Sequence, residues 1–300
     1  MPLSPALETW RQQSLSWCWR EHSIAWWKDE HWSDESRPAL ILIHGFPTAS
    51  WDWVPLWDQL AEHFRLLAID MIGFGFSAKP PHHAYSIYDQ ADLICALSAQ
   101  MGLEKAHILA HDYGDTVAQE LLARHNGAES GALALQSVAF LNGGLFPETH
   151  LATFNQKLLH SPIGFLVSRM MSEARFNAGF SEVFGAGTKP SADELKDFWA
   201  LVECNGGMKP IGHKLIRYIA ERRASRARWV GALQKSKIPL RVIDGGADPV
   251  SGVHMVDRYR ALVPEPDTVV LDGIGHYPQI EAPQAVLEAF MAFHQRIKTL

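Results

Sequence analysis

Short, continuous apolar runs recur along the chain in PALILIHG (38–45), FRLLAIDMIG (64–73), AHILAHD (106–112), ALALQSVAFLNGG (132–144) and IPLRVIDGG (238–246), with DTVVLDG (267–273) a weaker version. Runs without polar alternation suit strands covered on both faces, as in a parallel sheet. Between them WVPLWDQLAEH, IYDQADLICALSAQMG, GDTVAQELLARH and VHMVDRYRALV carry apolar residues at helical spacing. Upstream, the aromatic-rich LSWCWREH and IAWWKDE predict two strands of a hairpin. Strand and helix in alternation predict an α/β fold with a mostly parallel central sheet flanked by helices.

The alternation lapses once. From Gly143 to about 230 the chain reads as helix-like pieces punctuated by Pro147, Pro162, Gly185, Gly187, Pro190, Gly206, Gly207 and Pro210, with no buried-strand run. The expected organisation is a core built from 1–142 and 231–300, with 143–230 inserted as a helical cap over the strand ends. The 300 residues suit one large domain carrying such an insertion.

Composition adds exclusions. A net charge of −6 argues against a nucleic-acid binder. The N-terminus lacks the basic and apolar regions of a secretion signal, and no run reaches the roughly 18 apolar residues of a membrane span. The expectation is a cytoplasmic protein without a membrane span. Cys18, Cys95 and Cys204, odd in number and widely spaced, read as free thiols.

The chemistry concentrates in ILAHDYGDTVAQELL (108–122). Ala110-His111-Asp112-Tyr113-Gly114 has the form small-x-nucleophile-x-small, the pattern of a strand-to-helix turn so tight that only small flanking residues fit. Such a turn lifts one side chain, here Asp112, above the sheet. The alternative is that Asp112 merely caps the following helix. Two later segments favour the first reading. Asp248 follows a buried strand in RVIDGGADPV, and His276 lies in the Gly-rich loop GIGHYPQIEAP after the last predicted strand. Either alone is an ordinary loop residue. Together they give nucleophile, acid and histidine in order, each after a strand. In LIHGFPTASWDW the His44-Gly45 turn can aim the backbone N–H of Phe46 at the spot reached by that of Tyr113, forming an oxyanion hole; His44 itself reads as structural.

With these motifs the chain resembles the α/β-hydrolase superfamily, in the branch with an aspartate nucleophile that includes epoxide hydrolases and haloalkane dehalogenases. It resembles most the mesoderm-specific transcript protein family, through HGFPTASWDW, IGFGFSAKP, HDYGDTVAQELL, NGGLFPETH, RRASRARWVGAL and HYPQIE, which span about 40 to 285 and include the cap. An aspartate is already anionic at neutral pH and attacks a saturated (sp³) carbon without a base, giving an alkyl ester on Asp112. His276, oriented by Asp248, would then activate water against that ester while the Phe46 and Tyr113 amides hold the oxyanion. Attack on a carboxylic ester would give an anhydride, which disfavours ordinary esterase activity.

The resemblance implies a small, apolar, electrophilic substrate and water, with no cofactor. Epoxide hydrolases use cap tyrosines as acids; the cap here offers Tyr218, with His213 a weaker candidate and a packed aromatic the alternative for Tyr218. Dehalogenases typically place Trp after the nucleophile, where this chain has Tyr113, and Asn or Glu where it has Phe46. Trp51, Trp53 and Trp199 could supply halide donors but read better as core. Asn142, at the start of the insertion, is not an acid, so Asp248 is the third triad member. Epoxide hydrolysis is therefore preferred to dehalogenation of a haloalkane or haloacid. A ligand-binding protein without turnover is kept open by Asp115, which would disturb Asp112 if it pointed inward and would only complement the helix dipole if it faced solvent.

Three further signals are set aside. GFGFSA (73–78) mimics a dinucleotide fingerprint, yet Lys79-Pro80-Pro81 blocks the helix that fingerprint needs. RRASRAR (222–228) reads as the solvated face of a cap helix. His82-His83 lacks companions at metal spacing, so no metal site is expected.

Overall fold

The computed structural model describes residues 3–298. Eight strands form one sheet: β1 (Leu15–Trp19), β2 (His22–Lys28), β3 (Ala39–Ile43), β4 (Arg65–Ile69), β5 (Lys105–His111), β6 (Ala134–Leu141), β7 (Leu240–Gly245) and β8 (Thr268–Leu271). Their order is β1-β2-β4-β3-β5-β6-β7-β8. The β1–β2 hairpin joins β4 antiparallel, and every pairing from β4 to β8 is parallel. All six apolar runs that predict parallel strands form them.

The reason is burial on both faces. Every residue of β3 is buried: Ile41 and Ile43 join one apolar core, Leu40 and Leu42 the other. A strand between two helical layers has no solvent face for polar residues to occupy. The helices Ile87–Gln100 and Tyr113–Asn126 fall where the pattern places them.

Two helices go beyond the sequence reading. Pro5–Gln13 is started by Ser4, whose hydroxyl accepts from the Leu7 amide at 3.1 Å, and it stacks Trp10 on Trp27 at 4.9 Å. Pro283–Lys298 buries Val286, Phe290 and Phe293 in the second core.

Between β6 and β7 the chain forms only helices, from Phe154–Leu159 through Ala192–Glu203 and Tyr218–Ala224 to Arg226–Lys235. The last of these packs along Tyr113–Asn126. Glu120, almost fully buried, accepts from Arg124 at 2.8 Å, Arg228 at 2.7 Å and the Trp229 indole at 2.8 Å. Among the described residues no helix is long and apolar enough to cross a membrane. The GFGFSA loop opens no helix. Asp70 holds it, accepting from the Phe76 amide at 2.7 Å.

Candidate active site

In an open α/β sheet, groups collect beyond the carboxyl ends of the parallel strands. Here Phe46 follows β3, Asp112 follows β5, Asn142 follows β6, Asp248 follows β7 and His276 follows β8. Asp112 has φ +46° and ψ −103°, outside the regions that side chains ordinarily adopt. Its side chain makes no helix-capping hydrogen bond, so the capping alternative does not describe it.

The carboxylate is instead shared between two sides. Oδ2 accepts from the Phe46 amide at 3.2 Å and lies 3.9 Å from Nε2 of His276. Tyr113 is the first residue of its helix, so its N–H has no intrahelical acceptor. Oδ1 faces the other way, 3.6 Å from Nη2 of Arg222. Burial alone would raise the Asp112 pKa, but His276 and Arg222 outweigh it and hold the group well below the usual carboxylate range.

Behind the histidine, Nδ1 lies 2.7 Å from Oδ2 of Asp248, and the carboxylate fixes Nδ1 as the donor. Asp248 is held in turn by the Val250 amide at 2.7 Å, Ser251 Oγ at 2.8 Å and Asn142 Nδ2 at 3.0 Å. Asn142 also accepts from the Gly245 amide at 2.7 Å, tying the end of β6 to the end of β7. Burial would lower the His276 pKa, yet Asp248 and Asp112 together keep it well above the ordinary value. The imidazole thus lies between two carboxylates, both of which favour its charged form.

Asp115 points inward. It is fully buried, with Oδ1 3.4 Å from the Leu141 amide. Burial, and then Asp112, push its pKa well above the usual value, which favours the uncharged form of Asp115 beside Asp112. Of the two orientations open to Asp115, the chain adopts the inward one.

The basic cluster needs a correction. Arg222 is 2% exposed, a part of the site rather than of a solvated face. Nε donates to Thr116 Oγ1 at 2.7 Å and Nη2 to the Asp112 carbonyl at 3.1 Å. Arg226 pairs with Glu148 and Arg228 with Glu120, leaving Arg223 as the exposed arginine. A buried arginine is recognisable by its partners, and these lie more than a hundred positions away. One local signal was available: Arg222 is four residues beyond Tyr218, on the same helix face.

Tyr218 is buried against the Tyr113 ring at 5.1 Å, with the Arg222 guanidinium 4.5 Å from its ring centre, and its hydroxyl has no hydrogen-bond partner. Burial and then Asp112 raise its pKa, keeping the phenol protonated. His150, which no sequence signal marks, also lies here. Both its ring nitrogens are buried without partners, and burial and Arg222 push its pKa down to about 3. His213 lies elsewhere, beside Gly164, where Lys214, Arg169 and Arg217 are the charges acting on it. Trp53 and Trp199 belong to the two cores, and Trp51 packs edge-on to Trp10. His44 is structural, its Nε2 accepting from the Met71 amide at 3.0 Å.

Asp244, on β7, is buried with neither oxygen hydrogen-bonded, and burial followed by Asp248 pushes its pKa up to about 9. The folded protein thus keeps a proton that the unfolded chain releases above about pH 4. This group therefore subtracts stability as pH rises from the unfolded value towards the folded one. Asp244→Asn is expected to raise the melting temperature by about 2 °C or more near pH 8. The gain should fade as pH approaches the unfolded value. A scan showing the same gain at both ends would contradict the assignment.

Comparison with known proteins agrees with this architecture. The family model described as alpha/beta hydrolase fold matches residues 38–283. The mesoderm-specific transcript homolog protein of Bos taurus is 42% identical, the alignment covering 97% of this chain and 88% of that one. Epoxide hydrolase A of Mycobacterium tuberculosis is 26% identical, over 87% of this chain and 91% of its own. Among solved structures, a haloalkane dehalogenase of Bradyrhizobium elkani shares the fold with a TM-score of 0.79, at 19% identity over 95% of this chain and 98% of that one. The chain belongs to the α/β-hydrolase fold family, within the group formed by the mesoderm-specific transcript proteins.

Proposed function

We propose that this hydrolase cleaves a bond at an electrophilic saturated carbon through a covalent alkyl ester on Asp112, with an epoxide opened to a diol as the preferred reaction. The observation that carries the reading is the division of the Asp112 carboxylate. Oδ2 is held by the Phe46 amide at 3.2 Å, which leaves Oδ1 as the attacking oxygen. Oδ1 forms the new bond to carbon as the epoxide C–O bond breaks, and the freed oxygen takes the proton of the Tyr218 phenol.

Esterification then arms the base. It removes one of the two negative charges that keep His276 protonated, so the imidazole pKa falls. Having passed its proton to the Tyr218 phenolate, the neutral ring, held by Asp248, takes a proton from water as the water oxygen bonds to Cγ of Asp112. The Phe46 and Tyr113 amides stabilise the resulting oxyanion. Collapse expels the alcohol, which receives the histidine proton, and the proton left on the re-formed Asp112 carboxyl returns to His276. In this reading 143–230 is a cap on a core of 1–142 and 231–300, and it contributes Tyr218, Arg222 and His150. An organohalide would form the same ester with halide leaving; we place it second because Tyr113 stands where dehalogenases carry Trp.

Single turnover in water labelled with heavy oxygen tests the ester. The label should enter the Asp112 carboxylate, since water attacks Cγ. Label appearing only in the product alcohol would mean that water attacks the substrate directly. Tyr218→Phe should slow epoxide opening by about 10²-fold or more, the range of a lost general acid, and leave halide displacement nearly unchanged. Equal slowing of both would remove Tyr218 as the acid.

A further inference from the structure

The groups around Oδ1 of Asp112 are polar and cationic, which is not the lining an apolar electrophile calls for. Arg222 spends Nε on Thr116 and Nη2 on the Asp112 carbonyl, while Nη1 is buried with no partner. A methyl group built on Gly144 would lie 2.4 Å from that Nη1 and 3.1 Å from Nδ1 of His150, so both groups close in on Gly144 and lie near each other. Tyr218 lies on the neighbouring turn of the same helix, with the Arg222 guanidinium against its ring. Buried donors are normally satisfied, and leaving one unpaired costs about 1–3 kcal/mol, so Nη1 of Arg222 and the His150 ring together mark a place for an acceptor.

The approach to this space is positively charged as well. A cavity of about 300 Å³ reaches from the surface to His150, lined also by Gln156, Lys157, His160, Ile219 and Arg223, with no carboxylate among its lining residues. Through 151–171 the chain carries Lys157 and Arg169 and no acid, within a protein whose net charge is −6. Clefts of one sign concentrate ligands of the other.

We propose that the substrate is a small carboxylate whose α-carbon is the electrophile, an oxirane-2-carboxylate or a 2-haloalkanoate, with its carboxylate bound by Nη1 of Arg222 and by His150. This rests on the reading of Asp112 as nucleophile, and it adds the substrate class. The site's charge balance explains why an anion belongs here. Arg222 has the Asp112 carboxylate as its near counter-ion at 3.6 Å. Esterification neutralises that carboxylate, and a neutral substrate would leave the guanidinium buried beside an uncharged ester, a costly state. A substrate carboxylate replaces the lost charge. By engaging Arg222 it also loosens the ion pair on Oδ1 that lowers the oxygen's nucleophilicity. In the step itself, Oδ1 bonds to the α-carbon as the ring C–O bond or the carbon–halogen bond breaks. The ring oxygen takes a proton from Tyr218; a halogen leaves as halide.

The test uses unreactive shapes first. Calorimetric titration of the wild-type protein with cyclopropanecarboxylate and with cyclopropanecarboxamide should give a carboxylate affinity about ten-fold or more above that of the amide. Arg222→Gln should abolish the difference, and His150→Ala, a gentler change should the first variant not fold, should reduce it. Equal affinities in the wild-type protein, or a preference for the amide, would overturn the proposal. Exposing a His276→Gln variant to oxirane-2-carboxylate and to its carboxamide then separates the two readings. Faster ester formation from the carboxylate supports both. Carboxylate binding with no ester from any electrophile would sink the covalent mechanism and leave the anion subsite standing. Ester formation at equal rates from both compounds would sink the subsite and leave the mechanism.

Discussion

Asp112→Asn is expected to abolish turnover, by roughly 10⁴-fold or more, as for the loss of a covalent nucleophile, while the protein stays folded. Asparagine is the side chain best suited to replace aspartate at this turn, since it keeps the size and shape of the carboxylate. The Phe46 amide keeps an oxygen to donate to. What disappears is the negative charge that lets the group attack carbon unaided. Arg222 and His276 lose a counter-charge in the same change. The His276 pKa should therefore fall, visible by NMR as a titration midpoint at lower pH, and that readout reports on the ion pair even without a substrate. A folded variant retaining a tenth of wild-type activity would remove Asp112 from the chemistry.

Gly114→Ala should cost about 3 kcal/mol of stability, at the upper end of overpacking effects. The added methyl would meet the backbone oxygens of Ile43 at 2.4 Å and His44 at 2.7 Å. Neither is a flexible side chain, so the helix Tyr113–Asn126 would have to move off β3 and carry the Asp112 turn with it. Much of the few kcal/mol by which a domain is stable would be lost. Gly187→Ala is the control: nothing lies within 4 Å of the new methyl there, and its melting temperature should match the wild type. Melting both variants side by side checks this, and an unshifted Gly114→Ala would contradict the close packing of the turn.

The legible parts of this protein share a physical cause. Strands β3 to β7 were readable because burial on both faces forces an unbroken apolar run, which polar neighbours do not interrupt. The Asp112 turn was readable because its tightness excludes large side chains on either side, and the Asp248 and His276 loops because each follows such a strand. Arg222 was not. Successive helical residues point about 100° apart, so Arg222 turns into the site and Arg223 out of it, yet a run of arginines looks solvated along its whole length. Its burial depends on Thr116 and on the Asp112 carbonyl, which only the fold brings near. His150 sits in an irregular segment with no periodicity to show which way it points. Asn142 stood out only as a non-acid, whereas its amide joins Asp248 to the end of β7. The helix Pro283–Lys298 did leave a trace, in the spacing of Val286, Phe290 and Phe293.

The ester on Asp112 is the centre of the account, and one measurement reaches it most directly. A His276→Gln variant attacks without a base to hydrolyse what it forms, so the intermediate should accumulate. Intact mass and peptide mapping after exposure to oxirane-2-carboxylate, styrene oxide, 2-bromopropionate and bromobutane would show it. The expected result is a stoichiometric adduct on the peptide bearing Asp112, equal to a whole epoxide or to a haloalkyl compound less hydrogen halide, and absent when Asp112 is also changed to Asn. An adduct that persists in the double variant, or turnover by the wild-type protein with no adduct in the His276→Gln variant, would contradict it.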